Sequence, residues 1–240
     1  MIPNPLRIAL AGLAMAACAA AETPAAPQLG LFSGETDVGT MSRPGTAVYD
    51  PAHKTYTVSS SGANMWFGSD ALHFVWRKVG GDGSISADIA FVGTSAQPHR
   101  KACLLLRQSL DPGSPYVDVA QHGDGLTSLQ FREVQGGPTK EIQCNVAGPQ
   151  RVRLDKIGDA VYLSVSRDGG APRPSGCMFR LHLANPFYIG IGVCAHDDKA
   201  FETAVFSEVA IGAADKAAAE PQPGLRIITL PSGDRRVSDR

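Results

Sequence analysis

A run of alternating apolar and polar residues between positions 102 and 133 constrains the fold of this chain more than any other stretch. It contains three segments, 102–110, 116–122 and 126–133, separated by turns rich in Gly, Pro and Asp. Successive side chains of a strand point to opposite faces, so the pattern assigns each residue to a face. One phase is mainly apolar and includes Leu104, Leu106, Val117, Val119, Leu129 and Phe131. We therefore predict three antiparallel strands with this face in a core.

The other phase of the same strands is polar and of mixed charge. It includes Arg107, Asp118, His122, Ser128, Gln130 and Arg132. An antiparallel sheet packed on one side commonly leaves its second face in water. We predict that this polar face is exposed, either as a binding surface for a polar ligand or as a solvated sheet with cross-strand ion pairs.

The composition indicates an all-β protein without the clustered basic residues of a nucleic-acid-binding surface. The 240 residues carry a formal net charge of -1, with Lys and Arg scattered, so we expect no nucleic-acid partner. The 26 glycines and 17 prolines suit many short strands joined by tight turns. In the strand near 70–79, alternation predicts Leu72, Phe74 and Trp76 on the core side. About twelve short strands without an amphipathic helix predict a two-sheet antiparallel β-sandwich or jelly roll.

The N-terminal residues 1–21 are typical of a secretory signal peptide. Arg7 precedes an apolar run that is too short for a membrane span and is followed by Glu22 and Pro24. Two cleavage modes remain open: a cut near 19–21, or a lipoprotein cut that makes Cys18 the lipidated first residue. Either mode predicts export to the periplasm or beyond.

The rest of the chain divides by composition into four parts. Residues 22–35 read as a flexible leader, 36–212 as the sandwich, 213–224 as a linker and 225–240 as a short β fragment. A single hairpin cannot bury its apolar side alone. The fragment is therefore disordered, docked on the sandwich, or the beginning of a further domain.

Four cysteines follow the predicted signal, and an even number in an exported chain suggests disulfides. Cys144 and Cys177 share the phase of apolar neighbours, so both are expected in the core. Cys103 and Cys194 share the phase of Arg107 and His196, so both are expected on the polar face. Strand phase thus favours the pairs Cys144–Cys177 and Cys103–Cys194. The alternative is that one or both pairs are buried thiols, because disulfide geometry is strict.

Several stretches carry a resemblance to a known family, namely 46–50 with 55–58, 70–76, 100–109, 122–128, 194–197 and 203–207. They resemble the concanavalin A-like (lectin/glucanase) sandwich that precedes the β-propeller of bacterial TolB-like biopolymer-transport proteins. The resemblance spans residues 38–212, and 225–237 resemble the first strands of that propeller. It implies a jelly roll whose concave sheet binds a glycan or another cell-envelope polymer.

A lectin-like function predicts a set of ligand-binding residues on that sheet. Those predicted are Arg107, Asp118, His122, Gln130, Arg132, His196 and, as an aromatic plate, Trp66. Arg107→Ala is then expected to leave the fold intact and to abolish glycan binding.

Two other functions remain open, an enzyme and a structural or interaction module. A glycoside hydrolase would need paired carboxylates, for which Asp118 and Asp88 are the candidates on neighbouring strands. A structural module would have no ligand, or would bind a partner protein of the envelope. No cofactor is expected apart from calcium, for which Asp124, Asp197 and Asp198 offer oxygen ligands, although Gly-Asp-Gly is commonly turn chemistry.

Overall fold

The computed structural model describes Met1, residues 29–95 and residues 97–239. The predicted signal peptide and Cys18 therefore lie outside the described residues. Two large sheets and one two-stranded sheet account for the strands that the structure describes. This confirms the predicted all-β, two-sheet antiparallel sandwich.

The first sheet has nine strands and contains the three strands predicted from the alternating run. Its spatial order is β1 (Gly34–Val38), β6 (Leu72–Val79), β15 (Phe187–Cys194), β8 (Lys101–Arg107), β9 (Tyr116–His122), β10 (Thr127–Arg132), β11 (Lys140–Gln143), β18 (Arg235–Asp239) and β17 (Leu225–Thr229). All neighbours are antiparallel except β11 and β18, which are parallel.

The second sheet has seven strands. Its spatial order is β14 (Arg173–Arg180), β13 (Ala160–Ser166), β12 (Arg151–Ile157), β7 (Gly83–Phe91), β16 (Glu202–Gly212), β3 (Thr55–Ser60) and β2 (Thr46–Asp50). The small sheet pairs β4 (Met65–Trp66) with β5 (Ser69–Asp70). A 3₁₀ helix spans Lys216–Ala219, and none of the described helices is long and apolar enough to cross a membrane.

The main core lies between the two large sheets. Leu104, Leu106, Val117, Val119, Leu129 and Phe131 are all buried there. The strand phase predicted from the sequence is therefore confirmed for β8, β9 and β10. Phe131 stacks on Phe179 of the opposite sheet, with ring centroids 3.5 Å apart.

A second apolar cluster covers the other face of the nine-stranded sheet, which we call the outer face. Leu72 and Phe74 pack there with Met65 and Cys103, while Val75 points into the main core. The expectation that Leu72, Phe74 and Trp76 face the main core is therefore wrong: the more apolar phase of β6 packs in the second cluster, and the phase with Val75 faces the main core, so alternation alone does not identify the inner face. Gly192 of β15 makes room for this cluster, because a Cβ there would lie 2.8 Å from Leu72 Cδ1.

The C-terminal hairpin extends the nine-stranded sheet. β18 pairs with β11 through Ile142–Arg235 and Gln143–Arg236, and β17 pairs with β18. Val237 is buried in the main core. The segment before the hairpin contains the 3₁₀ helix, with Ala218 buried. Of the three arrangements left open for this fragment, the structure has the docked one.

Candidate functional site

A cavity of about 420 Å³ opens on the outer face of the nine-stranded sheet. We call it the histidine pocket, defined by Trp66, His99, Lys101, His122, Gln130 and His196. Asn64, Phe67, Leu126 and Glu141 complete its lining. Pockets of roughly 300–1,000 Å³ with a few convergent polar groups commonly hold small ligands or sugar units.

Strand register places the floor of the pocket. Lys101 on β8 lies directly opposite His122 on β9, and Gln130 on β10 lies opposite Asp118 on β9. Directly opposed side chains share a face, so these groups all point outward. The turn after β9 holds His122 in place, because the backbone of His122 donates to Leu126 and Gly125 adopts a φ of 91°. Lys101, His122 and Gln130 are nevertheless at most 4 % exposed.

The segment that leads into β4 forms a wall of the pocket. Asn64 Oδ1 accepts a hydrogen bond from Lys101 Nζ at 2.9 Å and lies 3.2 Å from His196 Nδ1. Trp66 is partly exposed, and Phe67 is 71 % exposed at the rim with a left-handed φ of 46°. The backbone oxygen of Phe67 accepts hydrogen bonds from Thr139 and Arg132, which stabilises this conformation.

Three imidazoles meet at one end of the pocket. The His99 ring centroid is 5.8 Å from that of His122 and 5.2 Å from that of His196. Burial, together with the charge of Lys101, lowers the pKa of His122 to about 4. The same two causes lower the pKa of His196. Both rings are therefore biased toward the neutral form, which both donates and accepts hydrogen bonds.

The environment of His122 favours one tautomer. Its Nδ1 lies 3.0 Å from the backbone oxygen of Leu126, a distance at which the Nδ1–H donates. Its Nε2 lies 3.5 Å from Gln130 Nε2 and is left as the acceptor. Gln130 Oε1 is buried without a hydrogen-bond partner among the described residues. A ligand hydroxyl would satisfy Gln130 Oε1, while His122 Nε2 accepts from Gln130 Nε2.

Comparisons with known proteins identify the fold. A scan of protein-family models and a search of curated proteins gave no match. Among solved structures, a functionally unknown protein from Saccharomyces cerevisiae matches with a TM-score of 0.53 and 16% identity, covering 72% of this chain and 98% of that one. The carbohydrate-binding module CBM66 from Bacillus subtilis matches with a TM-score of 0.50 and 15% identity, covering 78% of this chain and 100% of that one.

The chain is a concanavalin A-like jelly-roll sandwich. At these identities the likeness extends to the fold alone. The comparisons give no support to a relationship with TolB-like biopolymer-transport proteins.

Two of the predicted ligand-binding residues are buried in an ion cluster. Arg107 and Arg132 lie on the outer face as predicted, but neither side chain is exposed to solvent. Both donate to the carboxylate of Asp70, which is also fully buried. The expectation that these arginines line an open binding face is wrong, because the segment around β4 and β5 covers them.

The expected outcome of Arg107→Ala must be corrected for the same reason. Arg107 also donates to the backbone oxygens of Ser109 at 2.8 Å and Asp111 at 2.6 Å. Removing its guanidinium would leave these acceptors and Asp70 without a buried partner, which destabilises a fold by several kcal/mol. The substitution therefore tests stability and not ligand binding.

The proposed carboxylate pair of a hydrolase does not exist. Asp118 lies on β9 of the nine-stranded sheet, whereas Asp88 lies on β7 of the other sheet and pairs with Arg151. Asp118 is fully buried, and burial raises the pKa of its carboxyl group well above the usual value. The interpretation of both as neighbours on one exposed face is wrong, because the sequence does not show which sheet a strand joins.

The calcium candidates have local roles in the structure. Asp124 Oδ1 accepts from the backbone of Leu126 at 3.0 Å, and Asp197 Oδ1 accepts from that of Lys199 at 2.9 Å. The backbone oxygen of Asp198 accepts from the hydroxyl of Ser42. No group of three His, Cys, Asp or Glu side chains in the described ranges is arranged to hold a metal ion. Calcium binding stays a prediction without structural support.

The four cysteines among the described residues are buried free thiols, so neither predicted disulfide is present. Cys144 and Cys177 nevertheless touch, and the Cys177 thiol beside Cys144 lowers the pKa of Cys144 to about 7. Cys103 and Cys194 share the outer face, but Cys103 is paired with Gly192 and Cys194 with Lys101. Diagonal neighbours of this kind lie about 7–8 Å apart, near the limit for a disulfide.

The sequence analysis missed three main groups of the pocket, namely Asn64, His99 and Lys101. Lys101 has the phase of Arg107, so the alternating pattern extended by one residue would have found it. Asn64 and His99 come from loops, where no periodicity applies. Of the predicted residues, His122, Gln130, His196 and Trp66 lie together in the pocket.

Proposed function

We propose that this protein is an exported domain that binds a polysaccharide in the histidine pocket without cleaving it. The observation that carries the proposal is the combination of buried polar groups on the pocket floor with aromatic side chains at its rim. Sugars are recognised by polar groups that form hydrogen bonds with hydroxyls and by an apolar face that covers the ring. Lys101, His122 and Gln130 supply the first, and Trp66 with Phe67 supplies the second.

Other features favour binding over hydrolysis. A retaining glycosidase needs two carboxyl groups about 5–5.5 Å apart. Glu141 is the carboxylate that lines the pocket, and it is already engaged by Gln143 Nε2 at 2.6 Å. Asp118 lies on the same face of the sheet, but it is fully buried and does not line the pocket. The described residues thus supply one carboxylate at the pocket and no partner for it.

Export is part of the proposal and depends on residues 1–21, whose sequence is typical of a signal peptide. An exported sugar-binding domain would meet peptidoglycan, capsular material or environmental polysaccharides. A relationship to TolB-like transport proteins does not enter the proposal.

The test is a binding screen of the purified protein against peptidoglycan and common polysaccharides, with product analysis on every hit. The C-terminal hairpin should be retained, because Val237 is part of the main core. We expect at least one polymer to bind and to remain intact. Phe67→Ala should weaken that binding at least about fivefold, since a ring stacked on a sugar contributes about 1 kcal/mol or more.

The matched control is Val48→Ala, which removes an exposed apolar side chain from β2 of the other sheet. It should bind as the unmodified protein does. Equal binding by the Phe67 and Val48 variants would mean that the polysaccharide binds at another site. Cleavage products would overturn the non-catalytic assignment, and no binding to any polymer would favour a structural module.

A further inference from the structure

Lys101 is a buried ammonium group without a carboxylate partner. Its side chain lies on the floor of the histidine pocket, and the residue is 2 % exposed. Its one hydrogen bond among the described residues runs from Nζ to the amide oxygen of Asn64 at 2.9 Å. No ion pair within 4 Å involves it in the described part of the chain. An ammonium has three donors, so donor capacity remains.

Neighbouring groups do not neutralise this charge. Asp118 is the carboxyl group on the adjacent strand: burial raises its pKa well above the usual value and outweighs the opposing effect of the Lys101 charge, so the uncharged form is favoured. Glu141 accepts from Gln143, on its own strand. His122 and His196 have lowered pKa values, partly because Lys101 is positively charged. The pocket lining therefore contains one cation, Lys101, and one carboxylate, Glu141, and no ion pair within 4 Å joins them among the described residues.

Burying an unpaired charge is costly, and an anion that enters the pocket would offset that cost. Lys101 Nζ donates one hydrogen bond, to Asn64, so its remaining N–H groups can donate to such an anion. Three of the groups that surround this position, Lys101, His122 and Gln130, are more than nine-tenths buried and are fixed by strand register. A preformed arrangement of this kind binds with little loss of side-chain entropy.

We infer that the polysaccharide bound in the histidine pocket carries an anionic group on its sugar units, a carboxylate or a sulfate ester, which pairs with Lys101. The inference rests on the proposed function and specifies its ligand class. The anion would replace the missing carboxylate partner of Lys101. Gln130 Oε1, which has no partner among the described residues, would accept from a neighbouring sugar hydroxyl.

The test is calorimetric titration of the purified protein with matched oligosaccharides. Oligogalacturonate and oligomannuronate are compared with the same oligomers after reduction of their carboxyl groups, and sulfated carrageenan oligomers with their desulfated forms. We expect at least one charged oligomer to bind at least about tenfold more tightly than its neutral counterpart. The ratio should fall as salt is added, because ions screen the pair.

Lys101→Met removes the charge and retains the length of the side chain. It should reduce the ratio between charged and neutral oligomers to less than about twofold, while Lys216→Met, at an exposed position in the 3₁₀ helix, leaves the ratio unchanged. If Lys101→Met does not fold, the salt dependence of the unmodified protein decides the question.

The outcomes separate this inference from the proposed function. Binding of neutral polymers as tightly as of charged ones, or an unchanged ratio in Lys101→Met, would overturn the anionic ligand and leave sugar binding intact. Failure of every polymer, charged or neutral, would overturn both. Preference for the sulfated but not the uronate oligomers would identify the sulfate ester as the anion.

Discussion

Arg132 holds Asp70 through two parallel hydrogen bonds, from Nη1 to Oδ2 at 2.8 Å and from Nη2 to Oδ1 at 2.7 Å. Both side chains are completely buried. Arg107 adds a third bond to the same carboxylate at 3.0 Å. Asp70 belongs to residues 62–70, the segment that covers the outer face, whereas both arginines belong to the nine-stranded sheet. The ion cluster therefore fixes the wall of the histidine pocket to its floor.

Asp70→Asn should destabilise the protein by about 3–5 kcal/mol, because it leaves two buried guanidinium groups without a counter-charge. The measurement is urea unfolding at neutral pH. Asp159→Asn is the control, since the Asp159 carboxylate is 53% exposed and pairs with His182 at the surface. That change should cost less than about 1 kcal/mol. Similar losses for both variants would mean that the Asp70 cluster contributes no more than a surface pair.

Because of His122, the free energy of unfolding should decrease at acidic pH. Its pKa is about 4 in the folded protein, against a usual value of 6.5. Between these values the unfolded chain binds more protons, so stability is complete above about pH 6.5 and decreases as the pH falls toward 4. The full loss is about 3 kcal/mol. His122→Asn keeps a donor near the position of Nδ1 and should remove this part of the pH dependence.

Urea unfolding at several pH values measures this effect. Asp118 has the opposite effect on the pH dependence of stability. Because its pKa is raised in the folded protein, the folded state binds more protons than the unfolded chain above about pH 3.8, and stability decreases as the pH rises. The difference between His122→Asn and the unmodified protein isolates the histidine. His182→Asn, which alters a 78% exposed side chain, should leave the profile unchanged. An unchanged profile in the His122 variant would mean that folding does not lower the pKa of this ring.

Asp118→Asn should stabilise the protein at neutral pH. The unfolded carboxyl group ionises near 3.8, while burial keeps the folded one protonated to higher pH, and this difference costs stability. An amide of the same shape does not ionise. The gain should grow as the pH rises above about 4, as measured by urea unfolding at acid, neutral and mildly alkaline pH. A loss that grows with pH would instead mean that an ionised Asp118 supports Lys101.

Cys144 and Cys177 should form a disulfide when the protein is treated with oxidised glutathione. The two thiols lose two protons and two electrons, and the glutathione disulfide is reduced to two thiols. Closing a loop of this length stabilises by about 3–4 kcal/mol in the chain-entropy account. Peptide mapping should show the 144–177 link and leave Cys103 and Cys194 as thiols. Cys177→Ser is the control and should show no rise in stability.

A link between Cys103 and Cys194 in the same experiment would contradict the register of β8 and β15. It would require the two strands to shift, because these cysteines are diagonal neighbours.

The sequence by itself determined the fold class and the face of each central side chain. Alternation in 102–133 placed Leu104 and Val119 in the core and Arg107 and His122 on the opposite face, because backbone geometry imposes a period of two regardless of tertiary context. The same rule failed in β6, where the more apolar phase packs in the second cluster on the outer face.

Only the tertiary structure decided which of the outward-facing groups reach a ligand. Residues 62–70 cross the outer face and bury Arg107 and Arg132 while leaving His122 and Gln130 at a cavity. The alternation of apolar and polar residues likewise did not show which strand pairs with β18 or which sheet contains Asp88. Periodicity describes neighbours along one strand, whereas burial depends on segments distant in sequence that pack against it.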